Sequence, residues 1–164
     1  MRTLHACCFV LAASSAQAAS WPRVEMPDPT SASAVRRALD GAAKRLQKPR
    51  CQKVLADFRD RQGRPLGQKL DEIGVDGARY LGRIEFREGW GTGQCEGTER
   101  LAFTTQGGRI VWVCGGRFEQ AAKEDARWAE ATLIHEALHT LGLGENGRSS
   151  SLAITGRVLD RCGR

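Results

Sequence analysis

Two histidines and two glutamates lie within the eleven residues HEALHTLGLGE, which run from His135 to Glu145. Residues four apart lie above one another on an α-helix, so His135 and His139 can offer two imidazoles to one cation. Zinc accepts such nitrogen ligands in tetrahedral geometry, and a catalytic site leaves its fourth position to water. Glu136, beside the first ligand, is placed to act as general base on that water. The stretch therefore predicts a zinc site that carries its own catalyst.

This pattern would rarely arise by chance. Both histidines that follow residue 18 lie within it. Random placement of two histidines and eleven glutamates after residue 18 would produce it about 0.1% of the time. Two other interpretations stay open. The histidines could be ordinary surface residues on a solvated helix face, or the metal could only brace the fold.

A catalytic zinc needs a third protein ligand, and no third histidine follows residue 18. Gly142 suits the left-handed residue that ends a helix, so the chain can turn back there and bring the carboxylate of Glu145 to the metal. The alternative for Glu145 is a solvated loop residue, or a helper for the cap of the next helix. Asp160, or an acid from the upstream half of the chain, is the fallback ligand.

The five residues from His135 to His139 form the HExxH signature of the zincin metallopeptidases. The longer run to Glu145 resembles the metzincin pattern HExxHxxGxxH, with glutamate in place of the last histidine. The resemblance implies one zinc ion held by His135, His139 and Glu145. It implies Glu136 as the general base.

The same resemblance implies an edge strand above the motif helix, where a peptide substrate pairs as an added strand. Residues 109–114 are the candidate for that strand. The chain departs from the metzincins because its only methionines, Met1 and Met26, both precede the motif, whereas metzincins have a methionine turn beneath the metal. We therefore expect a small, divergent zincin-like domain.

A side chain that holds the developing oxyanion is also expected in such a peptidase. Arg148 and Arg157 lie near the motif in sequence and are the candidates, although surface arginines are common. Tyr80, the sole tyrosine, lies far upstream. The sequence leaves this role open between the two arginines.

Apolar periodicity predicts the elements that must position these residues. Helical spacing recurs over five segments: 33–48, 51–59, 65–73, 118–141 and 152–161. Alternation predicts a strand over residues 80–87, and the apolar runs 101–105 and 109–114 flank the glycines of a hairpin turn. We predict an α+β fold with a small antiparallel sheet packed with helices. The motif should lie on a long helix, followed by a short C-terminal helix.

The first eighteen residues have the features of a signal peptide. Arg2 precedes a short apolar run, and Ala16-Gln17-Ala18 fits a cleavage site. The alternatives are a buried N-terminal helix, or a lipoprotein that uses a cysteine of this segment. No later segment has the ~20 apolar residues of a membrane span, so we expect a soluble protein that is secreted or periplasmic.

The chain that follows the signal peptide is long enough for one compact domain. Residues 19–31 contain three prolines and should form an extended, poorly ordered segment. Residues 32–164 should form a single zincin-like domain.

Four cysteines follow residue 18: Cys51, Cys95, Cys114 and Cys162. An even number in an exported chain of this size indicates disulfides, and no pair has the C-x-x-C spacing of a zinc site. Of the three possible pairings, we favour Cys95 with Cys114 and Cys51 with Cys162.

The formal net charge of +6 comes from basic residues scattered along the chain, without a dense basic tract. This distribution argues against nucleic-acid binding.

The leading hypothesis is an exported zinc metallopeptidase that acts as a monomer on a peptide or protein substrate. One alternative is a catalytically silent binding module on the zincin scaffold, with a structural or vestigial metal site. The other is a basic envelope-associated protein without a metal.

Overall fold

The computed structural model describes residues 22–145 and 149–163, which form an α+β fold and confirm the predicted class. The helices are α1 (Pro29–Leu46), α2 (Pro49–Gln52), α3 (Val54–Asp57), α4 (Leu66–Glu72), α5 (Gly77–Leu81), α6 (Gly115–Glu124), α7 (Ala126–Thr140) and α8 (Ser151–Cys162). The strands are β1 (Arg23–Glu25), β2 (Glu85–Glu88), β3 (Ala102–Thr104) and β4 (Ile110–Val113). They form one sheet that contacts α1 and α7.

The sheet is mixed, with the strand order β1-β2-β4-β3. β3 and β4 form the predicted antiparallel hairpin, which turns at Gly107 with a φ of +76°. The prediction that the whole sheet is antiparallel is wrong, because β2 runs parallel to both β1 and β4. Five helices lie between β1 and β2, and such a helical crossover is the connection that parallel neighbours require.

An aspartate cap sets the start of α1. The side chain of Asp28 accepts a hydrogen bond from Ser31 N at 2.6 Å, so this helix begins at Pro29 rather than at residue 33. The segment 19–31, expected to be extended, therefore contains β1 and the first residues of α1. Residues 1–21, which hold the predicted signal peptide, lie outside the described residues.

A second aspartate cap shortens the predicted strand 80–87. Asp76 accepts a hydrogen bond from Arg79 N at 2.7 Å and begins α5, which extends to Leu81. The strand β2 is therefore confined to Glu85–Glu88. The alternation in this segment spans the end of a helix and the start of a strand, and both bury apolar residues in the same core.

The long helix predicted over residues 118–141 is divided at Asp125 into α6 and α7. Asp125 has an extended backbone, with a φ of −145°, and its side chain accepts hydrogen bonds from Arg127 N and Trp128 N. Apolar periodicity continues across this break because both helices face the core. The HExxH motif occupies the second half of α7.

The central helix of the fold is α7, which packs against α1, α6, α8 and the strands β3 and β4. Its Leu133 and Leu138 are fully enclosed in the core. A helix enclosed on all sides is usually apolar all round. This helix also buries four polar residues of the motif: His135, Glu136, His139 and Thr140.

Both predicted disulfides are present. Cys51–Cys162 joins α2 to the end of α8, and Cys95–Cys114 joins the loop of residues 89–101 to the start of α6. Disulfides are stable in oxidising compartments, which fits an extracellular setting. Among the described residues, none of the helices combines the length and the apolarity that a bilayer span requires.

Candidate metal centre

The imidazoles of His135 and His139 lie on one face of α7 and converge, with their Nε2 atoms 2.9 Å apart. Both residues are buried, at 4% and 8% exposure. His139 Nδ1 lies 2.8 Å from Leu143 O. A carbonyl oxygen can only accept, so His139 carries its proton on Nδ1 and offers a lone pair at Nε2.

The second ring nitrogen of His135 contacts Thr155 on α8, whose Oγ1 lies 2.9 Å from His135 Nδ1. A hydroxyl can donate or accept, so this partner suits either tautomer. With the proton on Nε2, His135 donates to His139. With the proton on Nδ1, it donates to Thr155, and both Nε2 lone pairs face the same point.

The turn after α7 places Leu143 beside the motif. Gly142 has a φ of +108°, as its predicted role requires. Gly142 N donates to His139 O at 2.9 Å, and Leu143 N donates to Leu138 O at 3.1 Å, the two hydrogen bonds of a Schellman cap. Gln106 Nε2 donates to Gly142 O at 2.6 Å and ties this turn to the β3–β4 hairpin.

Glu145 follows this turn and lies at the predicted position. Its Oε1 is 3.6 Å from His139 Nε2, and the ligand atoms of His135, His139 and Glu145 all lie within 4.8 Å of one another. The Glu145 side chain is 52% exposed, so it closes the solvent side of the group. The fallback ligand Asp160 lies elsewhere, since its Oδ1 is 3.3 Å from Arg50 Nη2.

The three residues fit the ligand set of a small divalent cation. Two ligand nitrogens on a tetrahedral zinc are about 3.3 Å apart. The two Nε2 atoms therefore need to separate by only about 0.4 Å to match the spacing of two ligands on such an ion. Their Nδ1 atoms already have the hydrogen-bond partners that orient metal-ligating histidines.

The electrostatics of the site favour neutral histidine and a basic carboxylate. Burial, assisted by the neighbouring His139, lowers the pKa of His135 to about 3, so the ring is neutral and able to bind a cation. Burial also raises the pKa of Glu136 to about 8. The negative charge of Glu145 contributes to this rise, whereas Arg100 opposes it.

The motif opens onto a cleft of about 610 Å³ between α7 and the edge of the sheet. Glu136 lines this cleft together with His135, His139 and Glu145. The strand beside it is β3, whereas residues 109–114 were predicted to be the edge strand. That prediction is wrong, because β4 lies between β2 and β3 and is paired on both sides.

The outer edge of β3 presents backbone groups beside the motif. Cys114 N donates to Leu101 O, so Leu101 and Phe103 direct their backbone hydrogen bonds towards β4. By alternation, Ala102 and Thr104 direct theirs away from β4. No described strand pairs with that edge.

Two of the residues considered for the oxyanion, Arg157 and Tyr80, do not line this cleft. Arg157 lies beside Asp57, at 3.8 Å between Nε and Oδ2. The Tyr80 hydroxyl donates to Thr140 Oγ1 at 3.1 Å in the core. Arg148 lies outside the described residues.

Three residues that line or orient the site were not found by sequence reasoning. Arg100 lines the cleft, Thr155 contacts His135, and Gln106 holds the turn after α7. Arg100 precedes the first hairpin strand inside the loop closed by Cys95–Cys114, so the predicted disulfide could have indicated it. Neither Thr155 nor Gln106 has such a local signal.

Comparison of the chain with protein-family models, with curated proteins and with solved structures finds no match.

Proposed function

We propose that the chain is an exported, zinc-dependent hydrolase that cleaves peptide bonds. The observation that carries the proposal is the convergence of His135, His139 and Glu145 beside a buried carboxylate, Glu136, in a cleft at a strand edge. Its disulfides and the signal-peptide features of residues 1–18 support export. His135, His139 and Glu145 would hold the ion.

The donor set of two imidazoles and one carboxylate suits zinc. When bound, such an ion polarises a carbonyl and lowers the pKa of water. The neutral form of His135 and the Nδ1 proton of His139 both leave a lone pair available at the site.

The role of Glu136 is to move a proton. Its carboxylate accepts a proton from the attacking water and returns it to the nitrogen of the leaving amine. Burial makes this carboxylate more basic than one in water, and a nearby dication favours its ionised form. The two effects shift the pKa of Glu136 in opposite directions, and a general base transfers protons in each direction most efficiently when its pKa is close to the pH of the reaction.

The strand β3 would align the substrate. An extended peptide that pairs with the outward groups of Ala102 and Thr104 would cross the cleft over the motif. Backbone pairing recognises any sequence, so selectivity must come from side chains elsewhere in the cleft. This geometry favours a peptide over a small rigid substrate.

The first test is the metal content of the purified protein, which should be close to one equivalent of zinc. Glu145→Gln should weaken zinc retention at least tenfold, whereas Asp160→Asn, the matched change at the acid outside the site, should not. Less than about half an equivalent in the wild type, after mild purification, contradicts a zinc enzyme.

The second test is turnover of an unbiased peptide library. Glu136→Gln should retain zinc and lose at least a hundredfold in kcat, because general-base catalysis contributes 10²–10⁴-fold. Glu124→Gln, an exposed glutamate on α6, is the matched control. A wild type that binds zinc but cleaves no peptide would favour the silent binding module.

A further inference from the structure

Arg100 is the only arginine or lysine among the described residues that line the cleft. We infer that it forms a carboxylate-binding subsite, so that the substrate carries a carboxylate close to the bond to be cleaved. This inference rests on the proposed function and names its substrate class.

Contacts within the protein hold the Arg100 guanidinium in place and leave most of its N–H donors unused. Arg100 Nη1 donates to Gln94 Oε1 at 2.6 Å, and Arg100 Cζ lies 5.9 Å from the centroid of the Phe103 ring. Guanidinium has five N–H donors, so a paired set remains for a bidentate carboxylate. Among the described residues, no acidic side chain forms an ion pair with Arg100.

The loop that carries Arg100 is anchored at two points. The disulfide Cys95–Cys114 attaches it to the start of α6. Arg117, on that helix, donates to Arg100 O at 2.8 Å and to Cys95 O at 3.1 Å. The side chain is thus positioned before a ligand arrives, which reduces the entropy lost on binding.

The charge of Arg100 does not serve metal retention. Its positive charge lies in the same cleft as the carboxylates of Glu136 and Glu145, and it opposes the binding of a dication there. A substrate carboxylate can form an ion pair with the guanidinium, so that Glu136 and Glu145 stay available as general base and metal ligand. Because no described carboxylate forms an ion pair with Arg100, its remaining N–H donors can bind an anionic group on the substrate.

A carboxylate near the scissile bond can come from two sources. It is either the side chain of an aspartate or glutamate, or the free carboxylate at the end of the peptide. Both present the same planar pair of oxygens to a guanidinium. The experiment separates them with three peptide pools.

The first pool contains blocked hexapeptides with glutamate at each position in turn, and the second has glutamine instead. The third is the glutamine pool with a free C-terminal carboxylate. For the wild type, kcat/KM should be at least tenfold higher for one carboxylate-bearing pool than for the blocked glutamine pool. Preference for the first pool identifies a side chain, and preference for the third identifies the peptide terminus.

Two variants test the residue itself. Arg100→Gln should reduce the preference for the carboxylate-bearing pool over the blocked glutamine pool to less than threefold. Gln94→Glu places a carboxylate within the molecule beside Arg100 and should have the same effect while keeping the arginine. Arg109→Gln removes an exposed arginine outside the cleft and should retain the preference.

Equal cleavage of all pools by the wild type, or a preference that survives Arg100→Gln, overturns the inference. An equal loss with every peptide in Arg100→Gln also overturns it, since that result assigns Arg100 to the oxyanion. If no peptide is cleaved, the proposed function fails, and fluorescence anisotropy with the labelled pools decides the subsite separately. Selective binding of a carboxylate pool that Arg100→Gln abolishes supports the subsite, and equal or absent binding overturns it.

Discussion

Replacing Thr155 by valine tests whether the hydroxyl beside His135 sets the affinity of the site for zinc. Valine has the shape of threonine but can neither donate nor accept a hydrogen bond. In the arrangement with His135 Nε2 2.9 Å from His139 Nε2, the Thr155 hydroxyl donates to His135 Nδ1. When a cation binds both Nε2 lone pairs, His135 must carry its proton on Nδ1. The Thr155 hydroxyl must then accept a hydrogen bond from that N–H group.

The variant loses a hydrogen bond in both states, and the difference between the two losses appears in the affinity. A neutral hydrogen bond contributes about 0.5–1.5 kcal/mol, and one from a ring polarised by a dication contributes about 1.5–3 kcal/mol. The midpoints of the two ranges differ by about 1.25 kcal/mol, which corresponds to a roughly eightfold weaker affinity. The metal-free protein should lose about 1 kcal/mol of unfolding free energy.

Competition titration with a chromogenic chelator measures the affinity, and chemical denaturation measures the stability. Thr132→Val is the matched control, because the Thr132 hydroxyl donates to Trp128 O within α7 and does not touch a histidine. Thr155→Ser should restore most of the affinity. A zinc affinity within twofold of the wild type in a folded Thr155→Val variant would refute the role given to Thr155, as would an equal loss in Thr132→Val.

Three further predictions concern stability and are measured by chemical denaturation. Gly142→Ala should cost about 1–3 kcal/mol, because φ there is +108°, a conformation that residues with a side chain rarely adopt. Gly116→Ala should be nearly neutral, because no atom lies within 4 Å of the new Cβ. Raising the pKa of Glu136 from 4.5 to about 8 makes the stability of the metal-free protein fall as pH rises from 4.5 to 8, and lowering the pKa of His135 from 6.5 to about 3 makes it rise from pH 3 to 6.5. The two effects should cancel between pH 4.5 and 6.5, so stability should be nearly flat there, fall above 6.5 from Glu136 alone and fall below 4.5 from His135 alone. An alkaline fall that persists in Glu136→Gln contradicts the assignment. Replacing Cys51 and Cys162 by serine should lower the free energy of unfolding by about 4.8 kcal/mol, and replacing Cys95 and Cys114 should lower it by about 3.3 kcal/mol. The difference arises because the two bridges close loops with separations of 111 and 19 residues. A larger loss for the Cys95–Cys114 pair would contradict this prediction.

The features that local chemistry determines were predictable from the sequence. His135 and His139 share a helix face by spacing alone, and Gly142 ends that helix because the left-handed conformation there suits glycine. The hairpin also follows from two apolar runs around a glycine turn. Each of these depends on residues within a few positions of one another.

The features that depend on the neighbours of an element were not predictable. Strands of three or four residues carry too little pattern to show whether β4 lies at the edge or inside the sheet. The division at Asp125 was hidden because apolar periodicity continues from α6 into α7. Thr155 reaches His135 only because α8 packs on α7, a contact between residues 20 positions apart.

The buried histidine rings of the motif are held by hydrogen bonds that also bear on their ability to bind a cation. The chain His139 Nδ1–Leu143 O, His139 Nε2–His135 Nε2 and His135 Nδ1–Thr155 Oγ1 satisfies every ring nitrogen inside the protein. A neutral relay of this kind is tolerated in a core, whereas two charged rings are not. Moving one proton from His135 Nε2 to Nδ1, with rotation of the Thr155 hydroxyl, converts the same relay into a pair of cation ligands. The same hydrogen bonds therefore satisfy the rings in the folded core and, after one proton shift, leave two lone pairs that a cation would need.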